Sequence, residues 1–141
     1  MFIFEIFNQF PAEFPVIQTA ISALVAFVLG IVWYNPTLMG EKAAEEHAKV
    51  LNGYKPGVSV YVIALLLWIL SSCVYSFLMS FLTPPSIQSL LGLSTFLWVG
   101  FVLPATLLNG LFSGKNFSVM AVDSSYFLAA LYLFAVIHNV I

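Results

Sequence analysis

The residues equipped for chemistry are few, and the clearest is Asp123, the only acidic residue inside an apolar run long enough to cross a membrane. A carboxylate at membrane depth is expensive to desolvate, so it faces protein or water and is a functional candidate by default. Counted from Phe117, where its run begins, it lies roughly 9 Å along a helix, about one and a half turns in. Asn109, Asn35, Tyr34, Trp33 and Tyr126 are expected at a similar depth, and Lys115 can reach back toward them by snorkelling. The expected cluster has Asp123 hydrogen-bonded to Asn109 and Tyr34 and paired with Lys115. Such a cluster can bind a polar group or handle a proton; the plainer alternative is a satisfied structural carboxylate.

Other chemistry is thin. His47 sits beside Glu45 and Glu46, and His138 lies near the other membrane face. No second histidine or cysteine stands at ligand spacing, so no metal site is expected within the chain. The single Cys73 excludes an intrachain disulfide and reads as a packing residue. There is no Walker-type lysine loop, no Gly-x-Ser-x-Gly elbow and no dinucleotide fingerprint. No catalytic residue, enzyme activity or cofactor is therefore expected, and without a basic run no nucleic-acid partner. Trp68 and Trp98 fall near mid-membrane, where packing is expected and their N–H groups need acceptors.

The elements that must position these groups follow from composition. The chain is 62% hydrophobic and 7% charged, whereas a soluble domain carries about 25% charged residues. The bilayer is the solvent, and spanning it takes roughly 20 apolar residues per helix. Four runs qualify, at about 16–35, 59–82, 87–112 and 117–140, which predicts one all-α domain over 1–141: a bundle of four transmembrane helices. Pro36, "YKPG", "TPPS" and "SGKN" supply the breaks. The opening "MFIFEIFNQF" places Glu5, Asn8 and Gln9 on one face, as in an interfacial amphipathic arm. The N-terminus has no positively charged region and no small-residue cleavage site, so no removable signal is expected. "TLMGEKAAEEHAKVLNG" predicts a short amphipathic cytoplasmic helix with Lys42–Glu46 and Glu45–Lys49 pairs, stopped at Asn52-Gly53.

There is no arginine, and Lys42, Lys49 and Lys55 lie in the first connection and Lys115 in the third. Four spans put both connections on one face, so the positive-inside bias predicts both termini on the non-cytoplasmic side. Small residues mark expected helix seams: Gln18, Ser22, Ala26 and Gly30 in the first span, Ser72, Ser76 and Ser80 in the second, Gly92 and Gly100 in the third. Pro104 leaves the carbonyl of Gly100 without its usual donor, so a kink is expected there, with a moving hinge as the alternative. "FVLGIVWYNPTLMG" aligns without a gap on "FVLPATLLNGLFSG", which raises a duplicated helix pair as a hypothesis.

The blocks "GIVWYNPTLMG", "WVGFVLPATLLNGLFSGK" and "DSSYFLAALY" resemble those of domain of unknown function 1761, a family of small bacterial integral membrane proteins. Asn35 stands where a small hydroxyl residue is common in that family. The resemblance implies a four-span protein of a bacterial inner membrane, and it brings no activity, substrate or catalytic residue.

Three classes of function follow. One is a structural or interaction protein, a homo-oligomer or accessory subunit partnered by the lipid bilayer, its own copies or another membrane protein. The second is a small oligomeric transporter or channel with Asp123 in its path. The third, a membrane enzyme, has the least support. A polar cavity touching Asp123 favours transport, whereas dry packing around it favours a scaffold.

Overall fold

A computed structural model describes residues 14–141 of the chain; the amphipathic arm expected before Pro11 lies outside the described residues. Those residues form helices and no strand. In chain order they are α1 (Val16–Trp33), α2 (Pro36–Met39), α3 (Glu41–Leu51), α4 (Val58–Leu82), α5 (Ile87–Phe112) and α6 (Phe117–Val140). Helices α1, α4, α5 and α6 are 18 to 26 residues long and apolar enough to cross a membrane, as the expected four-helix bundle requires.

The ends follow local chemistry. Helix α1 stops at Trp33, two residues before the expected end, because Asn35 is extended (φ −70°, ψ 124°) and caps the single turn α2 by accepting from the Thr37 amide. Helix α3 stops at Asn52, which adopts the left-handed conformation (φ 49°), with Gly53 following at φ 82°. Within α3 the expected pairs four residues apart do not form. Lys49 Nζ sits 3.4 Å from Glu46 Oε1, three residues away, while the other Glu46 oxygen accepts from Asn116 Nδ2 at 2.5 Å. That bond ties the first connection to the third at one end of the bundle.

Helix α6 is the centre. It packs along α1 and α5, while α4 lies chiefly against α1. The core gathers Ala26, Tyr75, Met79, Leu90, Ala130 and Phe134. The small-residue row of α1 is a true seam: Ser22 and Ala26 are fully buried, and a Cβ on Gly30 would lie 2.5 Å from the Tyr126 hydroxyl. Ser72 and Ser76 of α4 are buried too. The third-span row is different. Gly92 and Gly100 are exposed, and a Cβ on either meets nothing within 4 Å. Helix α5 reaches its neighbours through Leu90 and Ser94 instead, so its glycine face points outward.

The expected break at Pro104 takes a specific form. Trp98–Val102 is a wide π-helical turn, in which the Leu103 amide donates to the Trp98 carbonyl five residues back. Proline has no N–H to offer the Gly100 carbonyl, and the widened turn falls where that bond is missing. Large apolar side chains such as Phe96, Phe101, Leu66 and Leu70 point away from the bundle, as lipid-facing residues do.

Candidate functional site

The break between α1 and α2 places Tyr34 just past the end of α1, and there its hydroxyl donates to Asp123 Oδ1 at 2.6 Å. Lys115, in the turn that Gly114 makes at φ 72°, brings Nζ to 3.6 Å from Asp123 Oδ2. The carboxylate is 16% exposed and the lysine side chain 25%, so the pair is sheltered but not sealed, and its 3.6 Å spacing makes it a loose one. Burial first, then the hydrogen bond to Asp123, pushes the Tyr34 phenol far above its ordinary range. It therefore serves as a hydrogen-bond donor rather than a base.

Two indoles fix the backbone around this carboxylate. Trp33 Nε1 donates to the Val122 carbonyl at 3.0 Å, and Trp98 Nε1 to the Ser124 carbonyl at 2.7 Å. Tyr126, one turn further, donates to the Ala26 carbonyl at 2.7 Å and meets the Tyr34 ring edge-on at 5.5 Å. Trp68 sits edge-on to Tyr126 at 5.6 Å.

Five of the expected residues are thus brought together: Asp123, Tyr34, Lys115, Trp33 and Tyr126. Two are not. Asn35 faces solvent and uses its side chain on Thr37, because it caps α2. Asn109 lines a cavity beside Asp123 but makes no hydrogen bond to it. His47 was not expected here; its ring lies 5.3 Å from that of Tyr34, and the amphipathic face of α3 was the signal that could have placed it.

Three of the cavities that adjoin this cluster bear on it most. One of about 640 Å³ lies under α3, walled by Tyr34, His47, Tyr61, Trp68, Asp123 and Tyr126 among others. A second of about 380 Å³ opens between α5 and α6, lined by Tyr34, Thr106, Asn109, Lys115 and Asp123. The third, about 520 Å³, is an apolar cleft between α4 and α5 floored by α6, with Trp68, Phe101, Phe127 and Phe134 in its walls. Asp123 and Tyr34 wall the first two, and Trp68 and Tyr126 line both the first and the third.

Around the connections, Glu46 is held below its ordinary range first by the Asn116 amide, against a smaller opposing effect of burial, with Lys49 adding to the lowering. Among the described residues no group of three or more His, Cys, Asp or Glu could hold a metal ion.

A second polar group was missed altogether. At the far end of the bundle His138 of α6 contacts Ser76 of α4 at 2.7 Å, and Ser76 contacts Thr19 of α1 at 2.6 Å. Single hydroxyls and a histidine near a helix end carry no mutual spacing signal, so only packing reveals them.

Four apolar rods around a sheltered carboxylate define a polytopic helical membrane protein. The chain belongs to the family described as Protein of unknown function (DUF1761), whose model matches residues 17–139. No curated protein and no solved structure matches it.

Proposed function

We propose that this chain is a small, non-catalytic membrane protein that binds an amphiphile with a cationic head at Asp123, as one step of a transport path. The observation that supports this reading is that Asp123 walls two cavities rather than sitting in dry packing. Asp123 supplies a counter-charge in a cavity whose walls include the rings of Tyr34, Tyr126 and Trp68, which suits a cation. Lys115 at 3.6 Å is a partner that an incoming cation can displace. The adjoining apolar cleft suits a hydrophobic tail. The lysine-bearing end is read as cytoplasmic, in a bacterial inner membrane, by the positive-inside rule.

Binding of tetraphenylphosphonium to the full chain in lipid nanodiscs tests the reading. Saturable binding that weakens about tenfold or more in Asp123→Asn, the folded state being intact, is expected. Equal binding by both proteins overturns it.

A second reading, a homo-oligomeric interaction protein, is favoured by the outward Gly92–Gly100 face, which no part of the described chain covers. The two readings are compatible if the copies meet along α5.

A further inference from the structure

About 22 Å along α6 from Asp123, three side chains from three helices form an unbroken chain of polar contacts. Thr19 Oγ1 donates to the Pro15 carbonyl at 2.7 Å. The same oxygen lies 2.6 Å from Ser76 Oγ. Ser76 Oγ lies 2.7 Å from His138 Nε2, and His138 Nδ1 lies 2.8 Å from the Phe134 carbonyl.

The two ends of this chain are carbonyl oxygens, which only accept. Nδ1 must therefore carry a hydrogen to meet Phe134. Thr19 must give its hydroxyl hydrogen to Pro15, so Ser76 must donate to Thr19. Ser76 then has none left for the ring, and Nε2 must carry a hydrogen as well. Four contacts need four hydrogens, while two hydroxyls and a neutral imidazole hold three. Any neutral arrangement leaves one pair of acceptors facing each other at 2.6 to 2.8 Å.

We propose that Thr19, Ser76 and His138 form a proton-binding site whose occupancy closes this network and ties α1, α4 and α6 together. The ligand is a single proton from the water at that end of the bundle, taken up by the imidazole. No covalent bond other than N–H forms.

The surroundings bear on the balance. Ser72 Oγ donates to the Thr19 carbonyl at 2.7 Å, fixing the backbone beneath the network. His138 stands in the last turn of α6, where the free carbonyl ends favour positive charge. Partial burial opposes the charge. From α4 the facing titratable group is Tyr75, ring to ring with His138 at 5.2 Å and with its hydroxyl engaged by Ser94 of α5. From α1 the contact is Thr19, which does not titrate. No carboxylate or lysine among the described residues pairs with the ring. The site stands independently of the cavities at Asp123.

The test is a pH titration of ¹⁵N-histidine ring signals in the full chain in nanodiscs, in a His47→Gln background that leaves one imidazole. Below its midpoint His138 should carry hydrogen on both ring nitrogens. Thr19→Val cuts the need to two hydrogens, which Ser76 and a neutral ring supply, so the midpoint should fall by about one unit, a tenfold loss of proton affinity. Thr19→Ser should keep the original midpoint. Ser76→Ala should lower it as Thr19→Val does, and replaces that variant if it fails to fold. Identical midpoints in the parent and in both shortened networks overturn the proposal. So does a ring that stays neutral down to about pH 4 with the fold intact.

Discussion

Tyr34 does more for the carboxylate at position 123 than any other side chain, through one hydrogen bond of 2.6 Å. Tyr34→Phe removes the donor and keeps the ring against His47 and Tyr126. It should cost about 1.5–3 kcal/mol of stability, the usual worth of a hydrogen bond to a charged acceptor, read by unfolding in mixed micelles. Asp123→Asn keeps an acceptor for that hydroxyl and should cost less; a larger loss there would mean that the partnership with Lys115 dominates. Depth counting along apolar runs was enough to bring Asp123, Tyr34 and Lys115 together in the sequence. It brought Asn109 to the same cavity as Asp123 but could not foretell that the amide makes no hydrogen bond to the carboxylate. It failed at Asn35 because an asparagine before proline satisfies the next turn more readily than a distant carboxylate.

The seams can be tested at the level of the helix. Gly30 of α1 is pressed against the Tyr126 hydroxyl, which itself holds the Ala26 carbonyl. Gly30→Ala should therefore overpack the α1–α6 contact and cost about 1–3 kcal/mol. Gly92→Ala meets open space, so in the monomer it should be neutral or slightly stabilising, by up to about 1 kcal/mol of helix propensity. Measuring both by detergent-induced unfolding checks the assignment; equal costs would contradict the packing described above. The same four-residue spacing marked both rows, yet only one is internal. Small residues show that a helix can be approached closely, not by what, and α5 had another face with which to meet α6. Under the alignment of "FVLGIVWYNPTLMG" on "FVLPATLLNGLFSG", Asn35 caps a turn while Asn109 lies inside α5, so aligned positions do different work.

Across the whole molecule, the contact between Glu46 and Asn116 joins the first and third connections. Cysteines introduced at Lys49 and Lys115, in a Cys73→Ser background, should react with an impermeant reagent from the same side of sealed vesicles. Labelling from opposite sides would break the four-span topology. The four helices of spanning length were legible because hydrocarbon thickness sets helix length so firmly; the order of helices around α6 was not, since lipid-facing and helix-facing positions are both apolar. The indole bonds to the Val122 and Ser124 carbonyls have a mechanical consequence. Held from α1 on one side and α5 on the other, the segment bearing Asp123 cannot roll about its own axis without breaking both grips. Whatever reaches that carboxylate must therefore be admitted by its neighbours, among them α3, which lines the larger cavity through His47 and is itself held to the bundle by the Glu46–Asn116 bond.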